Sequence, residues 1–443
     1  MIIYRRLLSR SFPMFFGAMP FLKYGVPIIL FPMSFLLGLR SLNRSSLLIG
    51  FFGFQYCLLQ IALIFLHPTP ADPVAWQSEL ALARGYGILA LMAIPFANMV
   101  MHSRVKINEF AVPYFMSTLV FCGILGYQFL NFEICRATVL ASNPLIPPFV
   151  LVPLMGYLIA RRIVEKSASA LDLLVLVVVL ISVSAFGGNR MAFYILLSLS
   201  LILVGYLVFR SKFRHALYTV IAVFLGVIVS YAADTQMQCG FWDRIGNQAD
   251  IFSGEVNAVE DASRLLVAND HEAAGVEGPH AHEDVDPTHL EAANDSSTSD
   301  LIDLSPAAVT EHSTLQRMVM WKNSLNHLSE FDVAWVFGAG RTTERKIANE
   351  FTNTDYSHVH NQYLSWVIEG GLVGLLSALL LFGPLTMLAW KSFPVFVFMF
   401  SIASGFLTNS LMLSGEASAQ MVLLVLFVQV LEWQRREGGH EAQ

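Results

Sequence analysis

Long apolar runs separated by short polar segments dominate the chain. A helix needs about 20 apolar residues to cross the hydrocarbon core of a membrane. Runs near that length lie at 46–66, 84–101, 110–130, 145–160, 170–187, 191–209, 215–232, 362–389, 393–413 and 417–433. Residues 12–22 and 24–39 are also apolar and form either a short-helix hairpin or one spanning helix after an interfacial one. The pattern predicts an all-α polytopic membrane protein with 11 or 12 transmembrane helices.

Basic residues in the short connections predict the orientation. If every run spans, they share one side: Arg40, Arg44, Arg104, Lys106, Arg161, Arg162, Lys166, Arg210, Lys212, Arg214, Lys391, Arg435 and Arg436. Lys and Arg are enriched in cytoplasmic loops, so we expect this side to be cytoplasmic. The basic start MIIYRRLLSR joins it only if the N-terminal region is a hairpin, which favours 12 helices. That start has no signal-length apolar core with a cleavage site, so we expect no cleavable signal peptide.

Composition agrees with a membrane protein and isolates one unusual stretch. Only 14% of residues are charged, against roughly 25% in soluble proteins. Between Asp250 and Glu311 there are 15 acidic residues and one basic residue, Arg264, which is typical of a disordered insert. The predicted organisation is N-terminal transmembrane helices (1–232), a large periplasmic loop (233–361, with a disordered acidic insert at about 250–312 and a partly helical part at 313–361), and C-terminal transmembrane helices with a short cytoplasmic tail (362–443).

The second half of the large loop carries local structure. Residues 315–328 (LQRMVMWKNSLNHL) have apolar residues at helical spacing. Residues 337–341 (FGAGR) predict a tight turn, and 344–351 predict a short helix. The loop then enters an apolar run at 357–376, SHVHNQYLSWVIEGGLVGLL. Polar chemistry at this entrance is where we expect function.

Four arginines lie on the predicted periplasmic side, where basic residues are otherwise scarce: Arg136, Arg190, Arg317 and Arg341. Guanidinium groups stay charged and bind phosphate through paired hydrogen bonds. Together they would suit a pyrophosphate-linked lipid. The alternative is surface charge or interfacial snorkelling.

His360 is the candidate base, since a neutral imidazole can take a proton from an attacking hydroxyl. The alternative is a capping or hydrogen-bonded histidine. His358 precedes it by two residues, but a metal site based on these two histidines is only weakly indicated.

Glu369 lies inside the apolar run and is either functional or a packing residue that accepts hydrogen bonds. Gly370, Gly371 and Gly374 favour packing, because small residues let helices approach closely.

The cysteines and the remaining motifs add less. Cys57 and Cys122 are expected in the core, and a disulfide between Cys135 and Cys239 is left open. The sequence contains no phosphate-binding loop, dinucleotide fingerprint, Ser-His-Asp constellation or nucleic-acid-binding pattern.

The entrance to the apolar run also carries a family pattern, approximately HNxxLxxxxExGxxGL. It reads here as His360, Asn361, Leu364, Glu369, Gly371, Gly374 and Leu375. On this match the chain resembles the O-antigen ligase and polysaccharide polymerase superfamily of bacterial inner-membrane glycosyltransferases. Supporting features are Arg317 before Trp321 and FGAGR, Arg136 before Asn143-Pro144, and GGNR ending at Arg190. The acidic insert departs from the family, as does FGGNR where a serine-rich turn is usual.

The resemblance implies a metal-independent, inverting glycosyltransferase without a cofactor, facing the periplasm. Its donor would be a glycan on undecaprenyl pyrophosphate. Its acceptor would be lipid A-core for a ligase or a lipid-linked repeat unit for a polymerase, and polysaccharide-assembly proteins are possible partners. His360, Arg317 and Arg190 would be catalytic; Arg136, Asn361 and Arg341 would bind substrate; and Glu369, Gly371 and Gly374 would be structural. A transporter or flippase of polysaccharide precursors is the alternative, and a scaffolding protein is a third hypothesis.

Overall fold

A computed structural model describes residues 42–67, 73–103, 107–132, 135, 146–165, 169–243, 245, 317, 320–329, 334–349, 358–408, 412 and 415–440. These ranges are predominantly helical and contain no strand. The N-terminal runs 12–22 and 24–39, Arg136 and the acidic insert lie outside the described residues. The total of 11 or 12 helices and the domain boundaries therefore stay predictions.

Each of the ten clear apolar runs contains a helix. In chain order the helices are α1 (Arg44–Leu66), α2 (Pro73–Ser103), α3 (Ile107–Phe132), α4 (Ile146–Glu165), α5 (Ala170–Ile181), α6 (Arg190–Phe209), α7 (Phe213–Met237), α8 (320–329), α9 (Ala334–Phe337), α10 (Arg341–Asn349), α11 (Gln362–Ala389), α12 (Phe393–Thr408) and α13 (Gly415–His440). Among the described residues, six helices are long and apolar enough to cross a membrane: α1, α2, α3, α6, α7 and α11. The protein is thus an all-α polytopic membrane protein, as predicted.

Helix α13 lies at the centre of the bundle. Its residues 421–432 are all buried, and apolar side chains surround the helix, as expected for a helix enclosed by others. It packs against α1, α2, α4 and α11. The Phe427 ring lies 4.6 Å from the Phe110 ring of α3.

One end of the bundle carries buried ion pairs between basic residues and carboxylates. Arg161 Nε lies 2.7 Å from Glu165, and Arg162 Nε lies 2.7 Å from Asp172. Glu432 accepts a hydrogen bond from the Tyr157 hydroxyl at 2.9 Å. This is the end that the basic loops assign to the cytoplasm.

The opposite end of the bundle carries a disulfide between Cys135 and Cys239, whose Cα atoms are 5.4 Å apart. The structure therefore supplies the pairing that the sequence left open. Cys57 and Cys122 are free and buried, as expected.

Helix α11 is broken near its start. Gly371 adopts φ 56° and ψ −145°, outside the helical region, in a conformation that suits glycine alone. The chain then folds back, so that the Trp366 ring lies 6.1 Å from the Phe382 ring, whereas a straight helix would separate these residues by about 24 Å. A Cβ at Gly374 would lie 2.6 Å from the Trp366 carbonyl oxygen. The single run predicted at 362–389 is thus two helical segments. Gly371 permits the break between them, and Gly374 permits their close approach.

The helices of the large loop form a small second core over the broken end of α11. It contains Met320 and Leu328 of α8, Ile347 and Ala348 of α10, Val359, and Ile368 of α11. Residues 317 and 320–329 are helical where 315–328 were predicted. Helix α10 begins at Arg341, three positions before the predicted start. This second core positions the candidate site.

Candidate active site

The FGAGR turn packs its backbone directly against the broken helix. Gly338 and Gly340 have φ values of +78° and +84°. A Cβ at Gly338 would lie 2.3 Å from the Glu369 carbonyl carbon. The Ala339 N–H donates to the Ile368 carbonyl at 2.6 Å. Only glycine permits this approach, so the turn fixes the loop to α11.

The same turn is also held by α1. His67 Nε2 lies 3.0 Å from the Phe337 carbonyl oxygen. A Cβ at Gly340 would lie 2.7 Å from the His67 Cβ. The last residue of the turn, Arg341, is therefore positioned by two membrane helices.

Arg341 lies between two carboxylates. Its Nε is 3.4 Å from Glu79 Oε1 on α2 and 3.7 Å from Glu369 Oε1 on α11. Its side chain is 25% exposed. The predicted packing residue Glu369 thus has an ionic partner from the loop, and the predicted phosphate-binding residue Arg341 keeps partial access to solvent.

Glu344 is a buried carboxyl group that sequence reasoning missed. Its Oε1 accepts hydrogen bonds from the Ser365 hydroxyl at 2.6 Å and from the Val359 N–H at 3.1 Å. Its carboxyl group also lies close enough to the buried Glu369 carboxyl group for the two to interact electrostatically. Burial raises the pKa of Glu344. In the sequence it resembles any first-turn acid of an amphipathic helix.

The histidine segment, residues 358–361, is fixed by hydrogen bonds to the main chain of Val359. Val359 is fully buried. Its N–H donates to Glu344, and its carbonyl accepts from Trp321 Nε1 at 2.9 Å. The rings of His358 and His360 lie 4.5 Å apart. His360 has φ +55°, a conformation that non-glycine residues keep only when the surroundings impose it.

Both imidazoles are uncharged at neutral pH. Burial lowers the pKa of His358 to about 4, helped by the positive charges of Arg341 and Arg317. Burial lowers the pKa of His360 to about 3, helped by His358 and Arg317. The structure therefore brings Arg317 and both histidines into one electrostatic cluster. His358, which the sequence suggested only as a weak metal ligand, belongs to it.

Asn361 caps the broken helix. Its Oδ1 accepts hydrogen bonds from the N–H groups of Tyr363 and Leu364 at 3.1 and 3.2 Å. The side chain is buried and fixes the direction in which the histidine segment leaves α11. A substrate contact of Asn361 stays a prediction.

Arg190 begins α6 after an irregular connection. Helix α5 ends in a π-helix, Ser182–Phe186, a feature frequent at functional sites. Gly188 has φ +57°, and Asn189 caps α6 by accepting from the Ala192 N–H at 3.0 Å. Arg190 is partly buried. Its convergence with Arg317 and His360 stays a prediction, and Arg136 lies outside the described residues.

Within the described ranges, no group of three or more His, Cys, Asp or Glu side chains is arranged to hold a metal ion.

These features define a polytopic helical membrane protein whose large loop sets arginines and neutral histidines over the broken end of a membrane helix. Residues 173–379 match the family model described as O-antigen ligase. The chain therefore carries an O-antigen ligase domain, which supports the resemblance to the O-antigen ligase and polysaccharide polymerase superfamily. No curated protein gives a significant sequence match to the chain. The matched range begins in α5 and ends in α11, so it contains Arg190, the loop helices and the histidine segment.

This O-antigen ligase domain supports a role in O-antigen or polysaccharide assembly. It also supports a glycosyltransferase-type enzyme that acts on lipid-linked saccharides.

Proposed function

We propose that the protein transfers a glycan from undecaprenyl pyrophosphate to an acceptor sugar hydroxyl at the periplasmic face of the inner membrane, as an O-antigen ligase or a surface-polysaccharide polymerase. The observation that carries this proposal is the cluster of Arg317 with two uncharged histidines inside the O-antigen ligase domain. It combines a permanent positive charge with a possible proton acceptor.

In the proposed reaction, the acceptor oxygen attacks the anomeric carbon while the bond from that carbon to the pyrophosphate oxygen breaks, with inversion. His360 takes the proton of the acceptor hydroxyl. Its low pKa in the free protein rises when the anionic pyrophosphate binds, because a nearby negative charge favours the imidazolium. Matching of that pKa to the working pH is what general-base catalysis requires.

The leaving pyrophosphate gains negative charge, and fixed positive groups stabilise such charge. Arg317 and Arg190 take this role. Arg136 and Arg341 bind the donor further from the bond that breaks, and Asn361 contributes by orienting His360. Guanidinium groups supply the positive charge, so the proposed mechanism uses no metal ion.

Two observations support a periplasmic site. Disulfides persist in oxidising compartments such as the bacterial periplasm, and Cys135–Cys239 lies at the end of the bundle that carries the large loop. The other end carries Arg161, Arg162 and Lys212, whose Nζ donates to the Ile163 carbonyl at 3.0 Å. Basic residues mark cytoplasmic ends.

A transporter or flippase is the second candidate, and the broken helix favours it, because transporters use discontinuous helices at their substrate sites. Here, however, the broken end of α11 is covered by the FGAGR turn through the Ala339–Ile368 hydrogen bond. A packed turn favours a fixed site for chemistry.

The proposal is tested with purified protein in lipid nanodiscs, a glycan-linked undecaprenyl pyrophosphate donor and a candidate acceptor. Arg317→Ala should reduce transfer by roughly 100-fold or more, since removal of one group that stabilises transition-state charge has that effect. Lys346→Ala, an exposed change on α10, is the matched control. Normal transfer by a stably inserted Arg317→Ala protein would contradict the assignment.

Cells lacking the activity separate the two forms of the reaction. Loss of a ligase leaves long polymer attached to undecaprenyl pyrophosphate, whereas loss of a polymerase leaves single repeat units. Transport of intact donor without glycan transfer would favour the second candidate.

A further inference from the structure

Glu344 has no part in the proposed proton transfer or phosphate binding, yet it is fully buried beside the residues that do. It lies on α10, and its side chain points towards the start of α11 and the histidine segment. One of its carboxyl oxygens, Oε1, accepts hydrogen bonds from both the Ser365 hydroxyl at 2.6 Å and the Val359 N–H at 3.1 Å. One acceptor atom therefore joins the membrane helix to the main chain between His358 and His360.

The two polar groups of the Val359 peptide are held from opposite sides. The N–H donates to Glu344, and the carbonyl accepts from Trp321 Nε1. Val359 has no access to water, so a lost partner would leave a buried backbone group unsatisfied. The left-handed conformation of His360, φ +55°, follows immediately. Such a conformation persists where neighbouring contacts determine it.

Glu344 is itself held in place. Its carboxyl group lies near that of Glu369, with which it interacts electrostatically. Arg341, on the same helix as Glu344, lies 3.7 Å from Glu369 and 3.4 Å from Glu79 on α2. Among the described residues, the titratable and charged groups around Glu344 are Glu369, Arg341 and, through Arg341, Glu79.

We propose that Glu344 is a positioning residue of the transfer reaction, whose carboxyl oxygen fixes the main chain of the histidine segment and thereby sets where the His360 imidazole meets the acceptor hydroxyl. This inference rests on the proposed function, because it takes His360 to be the base. Glu344 supplies a hydrogen-bond acceptor at a distance that the length of its side chain fixes.

Substitutions that separate the length of the side chain from its charge test this role. Glu344→Gln keeps an oxygen at the same distance and removes the negative charge. Glu344→Asp keeps the charge and withdraws the oxygen by one methylene group. Glu344→Ala removes the acceptor, and Lys346→Ala is the control on the exposed face of α10.

Two measurements are made on the purified full-length variants. The first is kcat and donor KM for glycan transfer. The second is the rate at which diethyl pyrocarbonate modifies His358 and His360, followed by tandem mass spectrometry. This reagent reacts with neutral imidazole, so its rate reports how well the segment is held, independently of turnover.

We expect Glu344→Ala to lower kcat and raise the His360 modification rate, each by roughly tenfold, because a buried backbone donor loses its partner. Donor KM should stay within about twofold, since no pyrophosphate contact is removed. The order of kcat should be wild type, then Gln, then Asp, then Ala. If the Ala variant does not insert, the Gln and Asp variants carry the test alone.

Two results would overturn the proposal: a His360 modification rate that does not change in the Asp and Ala variants, or an Asp variant more active than the Gln variant. Failure of the proposed function gives a different result. In that case His360→Ala would transfer normally, while the modification rates would still show whether Glu344 holds the segment.

Discussion

The two ends of the helix bundle both bury charged side chains, but they do so differently. At the end assigned to the cytoplasm, Arg161 and Arg162 meet carboxylates at 2.7 Å, and Asp172 also completes a capping box with Ser169. At the loop end, Arg341 lies 3.4 and 3.7 Å from its carboxylates, Glu344 and Glu369 are both buried, and two imidazoles stay neutral beside Arg317.

The backbone shows a related difference. Among the described residues, Gly338, Gly340, His360 and Gly371 have positive φ at the loop end, whereas the other end has Ser211 in such a conformation. Strained backbone and strongly shifted pKa values at one location are typical of functional sites. The end predicted to face the cytoplasm has two ion pairs at 2.7 Å and two longer ones to Glu432 at 3.3 and 3.7 Å, an arrangement typical of a structural network. The contrast supports the proposal that one end maintains the fold and the other carries the chemistry.

The largest expected effect concerns the arginines of the loop end. Arg190→Ala and Arg317→Ala should each reduce transfer by roughly 100-fold. If both bind the same pyrophosphate, the double variant should lose less than the product of the two factors, because residues that share a partner are not additive. A double-mutant cycle of kcat/KM measures this.

Strict multiplication of the two effects would mean that Arg190 and Arg317 act at separate places. Arg161→Ala at the opposite end of the bundle is the matched control, and it should leave kcat per folded molecule unchanged.

Substitutions at the end predicted to face the cytoplasm should lower stability. Arg162→Ala leaves Asp172, which is 1% exposed, without its ionic partner, and breaking a buried pair costs about 3–5 kcal/mol. Unfolding in mixed micelles by a denaturing detergent should show this loss, while the folded fraction keeps its kcat. A fall in kcat without a fall in stability would break the distinction between the two ends.

A substitution in the FGAGR turn should lower both stability and glycan transfer. Gly338→Ala places a Cβ 2.3 Å from the Glu369 carbonyl carbon at φ +78°, so the turn must move away from α11. We expect a stability loss of about 1–3 kcal/mol and reduced transfer. Gly205→Ala, which meets no atom within 4 Å, is the control, and an equal effect of both changes would contradict the docking role.

The smallest expected effect is that of pH on kcat/KM. An unperturbed histidine titrates near pH 6.5, but burial and nearby positive charges lower the pKa of His358 to about 4 and of His360 to about 3. The imidazoles therefore stay neutral well below pH 6.5. The pH profile of kcat/KM, which reports the free enzyme, should be flat between about pH 8 and 5, and a step near pH 6.5 would contradict the burial.

The same shift has a consequence for stability with a definite sign. Between about pH 6.5 and 4, the unfolded chain binds protons at these histidines and the folded protein does not. Stability therefore falls as the pH is lowered through this window. His360→Ala should weaken the fall, which detergent unfolding at several pH values can measure.

The membrane helices were predictable because a spanning helix is a local property: about 20 apolar residues in sequence are enough. The family pattern around His360 was equally local. The break at Gly371 was not predictable, since the same glycines suit a continuous helix packed against a neighbour. Gly371 shows its role only when Trp366 is seen folded back against Gly374.

Glu344 marks the other limit of sequence reasoning. Its burial comes from partners far along the chain, Val359 and Ser365, and the residue itself resembles a surface acid. The Cys135–Cys239 pairing was left open because proximity across more than 100 residues is a tertiary property. Residues with local causes were found, and residues placed by long-range packing were missed.

The most direct test of the account is single-turnover transfer by His360→Ala protein in nanodiscs, with donor binding measured in the same samples. The account predicts donor binding close to that of the wild type, with glycan transfer reduced by roughly 100-fold or more, as expected when a general base is removed. Transfer at the wild-type rate, with intact donor binding and a stably inserted protein, would contradict the claim that the loop end holds the catalytic site.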